Sequence, residues 1–104
     1  MQCLVIYDIP NDAVRTKLGE ICLDYGLLRI QYSSFLGELS YSRQNELLAK
    51  LTRRLGKREG NIQMYPLCDK DIKLRKVVLV VAEVVIEADG KKAKVKVKGT
   101  KKDG

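Results

Sequence analysis

This chain of 104 residues has no histidine and no tryptophan, a single phenylalanine, two prolines and three cysteines. Without histidine there is no Ser-His-Asp or Cys-His catalysis, no histidine-ligated zinc and no imidazole general base. Any chemistry must run on carboxylates, hydroxyls, thiols, lysines or a metal held by oxygen. Cys3, Cys22 and Cys68 are odd in number and lack C-x-x-C spacing, so they are expected to be buried thiols in a reducing compartment. Long apolar runs are missing too. Val77–Ile86 is about half the length of a membrane span and already contains Glu83. Met1–Tyr7 runs straight into Asp8 and is too short for the apolar region of a signal peptide. A cytoplasmic protein with no membrane partner is expected.

What is present suffices for one modest core: 45% of the residues are apolar and 32% charged. The net charge of +7 is unevenly placed. Residues 1–90 carry 13 Lys/Arg against 12 Asp/Glu, whereas residues 91–104 carry seven lysines against Asp103 alone. A solvated tail explains this end as well as a polyanion-binding arm does.

Gln2–Tyr7 is apolar and β-branched and stops at Asp8-Ile9-Pro10-Asn11, a buried strand ending in a turn. Val14, Leu18, Ile21, Cys22 and Tyr25 then mark one face of a helix, with Asn11 or Asp12 as cap and Gly26 as its left-handed terminus. Leu27–Ser33 and Ser34–Glu38 are short extended pieces. Ser40 or Ser42 caps a second helix striped by Leu47, Leu48, Leu51 and Leu55 and closed by Gly56. Asn61–Pro66 alternates as a fourth strand, which Pro66 ends or places at an edge. The order βαββαβ, two crossover helices on one face of an antiparallel sheet, specifies an α+β ferredoxin-like sandwich.

Asp89-Gly90 signals a type I′ hairpin between two β-rich runs. A two-residue loop there sets Glu87 opposite Lys92, Ile86 opposite Ala93, Val84 opposite Val95, Glu83 opposite Lys96 and Ala82 opposite Val97. Three regions follow: a domain over residues 1–76, a hairpin extension over 77–98 and a frayed tail over 99–104.

Asp8, at the carboxyl end of a buried strand, is the first candidate for chemistry. It can close the turn through an Asx bond, or it can hold a hard cation. One carboxylate makes a poor magnesium site, and a two-fold dimer that brings two copies of Asp8 together removes that objection. Arg15, Lys17 and Arg29 are solvated charges or phosphate ligands. Arg53 and Arg54 belong to a cluster, with Lys57 and Arg58, that suits the dipole at the end of the second helix. Tyr32 and Phe35 are expected in the core, and Ser33 and Ser34 have no base beside them. No glycine-rich phosphate loop or dinucleotide fingerprint is present.

The string Val5-Ile6-Tyr7-Asp8-Ile9-Pro10-Asn11-Asp12, followed in order by Lys17-Leu18, Asp24-Tyr25-Gly26-Leu27, Arg29 to Ser40 and Asn61 to Cys68, resembles the CRISPR-associated protein Cas-two family. The likeness covers about residues 1–70. It implies a homodimer of ferredoxin-like subunits whose C-terminal strands reach across to the partner. It also implies a magnesium- or manganese-dependent nuclease acting on RNA or DNA, and a place in spacer acquisition beside the CRISPR integrase (the family's Cas-one partner). By position, Asp8 becomes the metal-binding carboxylate, flanked by Tyr7. Arg15, Lys17 and Arg29 become phosphate-contacting or activity-supporting cations, Phe35 supports the site, and Ser33 lies in the same motif. Arg53 and Arg54 add to the nucleic-acid surface. The alternative is a scaffold dimer that binds nucleic acid without cutting it. Three features depart from the pattern: Lys17 stands where some relatives have arginine, no second cysteine follows Cys68, and the C-terminal hairpin is long.

Overall fold

In the computed structural model, residues 1–80 are described in full, and Ala82–Ile86, Lys92–Val97 and Lys101–Asp103 as backbone strands. Alternation in Gln2–Asp8 makes β1 two-faced: Cys3, Val5 and Tyr7 are buried, while Ile6 and Asp8 between and after them are exposed. Asn11 then starts α1 (Asp12–Asp24), its side chain accepting the Val14 amide, and Gly26 at φ 87° turns the chain out of the helix. Strands β2 (Leu28–Gln31) and β3 (Ser34–Glu38) follow. Ser40 caps α2 (Tyr41–Leu55) by accepting from the Arg43 amide, and Gly56 at φ 62° ends it.

Strand β4 (Asn61–Leu67) completes a four-stranded antiparallel sheet of order β2-β3-β1-β4. Pro66 lies inside β4, opposite Cys3, which is tolerable because β4 is an edge of this sheet. One core joins the buried face of β1 to Val14, Leu18 and Cys22 of α1, Phe35 of β3, and Leu47 and Leu51 of α2. Burying each large apolar side chain contributes about 1.5–3 kcal/mol. This is the ferredoxin-like α+β sandwich expected from the order of elements.

Neither α1 nor α2 covers the opposite face of the sheet. Ile6, Leu28, Ile30 and Tyr65 are exposed. In register, Ile6 lies beside Gln63 and Ser34, and Leu4 beside Tyr65 and Leu36.

Contacts divide the chain into two compact units, Met1–Ile72 and Lys73–Gly104. The first ends in a short helix, α3 (Asp69–Ile72), too brief for any periodicity to announce. In the second, β5 (Val77–Leu79) pairs with β8 (Lys101–Asp103), so these last residues, expected to fray, form a strand. Within the same unit β6 (Ala82–Ile86) pairs with β7 (Lys92–Val97). The pairs Ala82–Val97, Glu83–Lys96 and Val84–Val95 follow the expected register. Ile86, however, lies opposite Lys92 rather than Ala93, because the register shifts between Val85 and Ile86. One extra residue on β7 absorbs the shift, as in a β-bulge. That removes Lys92 from its expected partner Glu87, which, like the Asp89-Gly90 turn, lies outside the described residues.

Candidate functional site

The end of β1 holds Asp8 still while leaving its carboxylate in solvent. Its neighbours Tyr7 and Ile9 are 3% and 1% exposed, so the backbone on either side is anchored in the core. Arg15 Nη1 donates to the Ile9 carbonyl at 2.6 Å and ties the β1–α1 turn to the helix. Gly60 makes the anchoring possible from the β4 side: a Cβ there would lie 2.5 Å from Ile9 Cδ1. Asp8 faces Asn61 in the sheet, and the two share a depression of about 240 Å³ with Pro10, Glu59 and Gly60.

The donor set at this depression is oxygen only. Asn61 Oδ1 already accepts from Gln63 Nε2 at 3.0 Å, and among the described residues no group of three Asp, Glu, Cys or His side chains converges as a ligand cage. Such a set suits a hard cation that keeps most of its water and binds one or two carboxylates. It does not suit a fully protein-caged metal.

On the helix-covered side of the same strand lies a second cluster. Tyr7 stacks on Phe35 with ring centroids 5.9 Å apart, and the Arg29 guanidinium sits over the other aromatic neighbour, 5.0 Å from the Phe35 centroid. Tyr7 Oη donates to the Arg15 carbonyl at 3.3 Å. Burial pushes the Tyr7 phenol above its ordinary value, while Arg29 and Arg15 pull the other way. It therefore stays protonated near neutrality and serves as a donor, not a base. Arg15 pairs with Asp12 and lies over the Tyr32 ring at 5.6 Å, and its buried Nε has no acceptor among the described residues. Tyr7, Arg15, Thr16, Arg29 and Tyr32 line a pocket of about 90 Å³.

The structure thus separates the residues singled out from the sequence. Asp8 opens on one depression, and Tyr7, Arg15 and Arg29 line another, with Phe35 beneath them. Ser33 contributes its carbonyl, which accepts the Tyr7 amide at 3.0 Å. Lys17 is exposed on α1 and pairs with Glu20 at 3.3 Å. Arg53 and Arg54 lie elsewhere, lining a cleft of about 320 Å³ with Ile21 and Lys50.

Two expectations are corrected. Tyr32 is 70% exposed rather than in the core, because it follows the last residue of β2, Gln31. Cys68 is exposed and donates to Asp71 Oδ2 at 3.0 Å, whereas Cys3 and Cys22 are buried as expected. The sequence reading overlooked Thr16, Gly19, Lys50 and Glu59. Only Gly19 carried a visible signal, as a glycine inside a helix. Among the described residues no helix is long and apolar enough to cross a membrane.

The family model described as "CRISPR associated protein Cas2" matches residues 1–75. The chain is 46% identical over 88 residues to a CRISPR-associated endoribonuclease Cas2 of Desulforudis audaxviator, which covers 85% of this chain and 83% of that protein. It is 35% identical over 65 residues to a CRISPR-associated endonuclease Cas1/endonuclease Cas2 fusion of Thermoproteus tenax, covering 62% of this chain and a 25% share of that longer protein. Among solved structures, the crystal structure of Streptococcus pyogenes Cas2 at pH 6.5 matches with a TM-score of 0.63 and 22% identity, covering 72% of this chain and 95% of that one; this likeness speaks to the fold. With the sheet order, the Tyr7-Asp8 strand end and the matched span agreeing, the chain belongs to the CRISPR associated protein Cas2 family.

Proposed function

We propose that this chain is a magnesium- or manganese-dependent endonuclease that hydrolyses phosphodiester bonds of RNA or DNA in CRISPR adaptation, working as a cytoplasmic homodimer beside the Cas1 integrase. The observation that carries the proposal is Asp8: a carboxylate exposed to solvent on a backbone clamped by Tyr7, Ile9 and Arg15. Rigid presentation of a charged group is the usual mark of a working site. The relatives' names support the nuclease reading, and the Thermoproteus tenax fusion supports the integrase partnership.

A single chain supplies too few carboxylates, and the bare sheet face supplies the remedy. Asp8 projects from the face that carries exposed Ile6 and Tyr65, and a second copy packed on that face about a two-fold axis would set its own Asp8 close by. A bound magnesium ion would polarise a phosphoryl oxygen and acidify a water. The chain's own residues do the rest. Asp8 carboxylate oxygens would hold the ion. Arg15 fixes the turn through the Ile9 carbonyl, Phe35 and Tyr7 keep Arg29 in place, and the two guanidiniums add positive field near an anionic substrate. Lys17, Arg53 and Arg54 extend the basic surface along the helices.

One observation favours a second reading, a binding scaffold without cleavage. The cleft at Ile21, Lys50, Arg53 and Arg54 has no acidic residue in its lining, and its cations form no ion pair among the described residues. One experiment separates the two. Asp8→Asn should lower magnesium-dependent cleavage about 100-fold or more, the scale of a lost transition-state interaction, while nucleic-acid binding and its salt dependence stay as in the unaltered protein. Undiminished cleavage by the purified variant refutes the nuclease reading and leaves the scaffold.

A further inference from the structure

We infer that the pocket under α1 bounded by Tyr7, Arg15, Thr16, Arg29 and Tyr32 is an anion site for a single tetrahedral phosphoryl group, separate from the depression at Asp8. Its size admits the ligand. About 90 Å³ is several times the ~10–15 Å³ of such space that one water needs, so a phosphoryl group has room to enter.

Its chemistry sets the charge. Two arginines line one small pocket, Arg15 mostly buried and Arg29 exposed, and an anion between them would offset their mutual repulsion. Arg29 forms no ion pair among the described residues, and Arg15 is balanced only by Asp12, whose carboxylate is largely in solvent. Arg15 Nε is buried without an acceptor among the described residues. Thr16 adds a hydroxyl donor, and the Tyr7 phenol, protonated for the reason given above, would have to turn from the Arg15 carbonyl to add another. No acidic side chain lines the pocket.

Helix α1 is shaped to admit this arrangement. Gly19 is buried in its interior, a position where alanine would ordinarily be the better helix former. A Cβ on Gly19 would lie 2.6 Å from Arg29 Nη2, 3.1 Å from Tyr7 Oη and 3.4 Å from Phe35 Cζ. The missing methyl is what lets the guanidinium and the phenol come up against the helix. Gly19 is therefore a positioning residue for the pocket.

The shared chemistry has two sources, free inorganic phosphate and the terminal phosphate of a nucleic-acid strand. A terminal phosphate carries roughly two negative charges and three free oxygens, and so answers two arginines better than a backbone diester with its single charge. The site stands whether or not Asp8 carries catalysis.

The test is a titration of the full chain with inorganic phosphate at constant ionic strength, followed by the Nε–H NMR signals of its arginines, with sodium chloride as control. Saturable shifts at Arg15 and Arg29 are expected. Arg29→Gln should weaken phosphate about tenfold or more, the loss of one charge-assisted hydrogen bond. Thr16→Val, on the exposed rim, should weaken it measurably without loss of fold. Gly19→Ala should weaken it as well, and Gly19→Ala combined with Arg29→Lys, which removes the crowded Nη2, should regain part of the loss. Asp8→Asn should bind phosphate like the unaltered protein. Absence of a saturable shift, or undiminished binding by both Arg29→Gln and Thr16→Val, overturns the site. Tighter binding of a 5′-phosphorylated than of a 5′-hydroxyl oligonucleotide assigns it to strand ends, and equal binding of the two assigns it to free phosphate.

Discussion

The two sides of strand β1 carry different duties, and the difference explains why a strand of seven residues can serve both fold and function. On the helix-covered side Cys3 and Val5 are fully buried and Tyr7 nearly so, stacked on Phe35 and crowned by Arg29. On the bare side Ile6 and Asp8 are exposed, with nothing from Met1–Ile72 packed across them. Strand geometry enforces the split, since neighbouring side chains must point to opposite faces. The covered side supplies rigidity, and the bare side presents what that rigidity holds in place.

The largest expected effect lies on the covered side. Phe35→Ala removes the ring on which Tyr7 and Arg29 both rest, and should cost about 3–5 kcal/mol in urea unfolding. A cost below about 1 kcal/mol would mean that the stack is not what holds this face together.

Alkaline pH probes the same side through Cys22, whose thiol burial pushes up to about 12. Above about pH 9 the thiol of the unfolded chain ionises while that of the folded chain does not. The contribution to stability is therefore whole below that pH and is lost as pH rises toward the folded value, by roughly 1.4 kcal/mol per pH unit. Cys3 and Tyr7, both raised mainly by burial, act with the same sign. Thermal midpoints measured between pH 8 and 11 should fall, and Cys22→Ala should flatten the slope. A slope unchanged by that substitution would contradict the assignment.

The smallest effect on folding is expected on the bare side. Ile6→Lys should change the unfolding free energy of the single protomer by less than about 0.5 kcal/mol, as surface substitutions do. By sedimentation it should shift the protein from dimer toward monomer. An unaffected sedimentation profile would move the interface to another surface.

Much of this was legible in the sequence because it rests on short-range rules. The caps at Asn11 and Ser40, the left-handed glycines Gly26 and Gly56, and the stripe Val14, Leu18, Cys22 each follow from local spacing. Asp8 stood out because a charge closes an apolar run. The remainder depended on contacts between distant residues. Tyr32 looks like a core aromatic until the short β2 leaves it outside, and Gly19 matters only because Arg29 and Tyr7 arrive opposite it. The Val77–Leu79 pairing with Lys101–Asp103 is a long-range effect, and the slip at Ile86 is a bulge that the plain alternation of its two strands does not announce.

Counting manganese tests whether two copies of Asp8 share one divalent ion across a two-fold axis. Paramagnetic titration of the purified protein should give one Mn²⁺ per two chains and none in Asp8→Asn. One ion per chain, or the same stoichiometry in the variant, would contradict it.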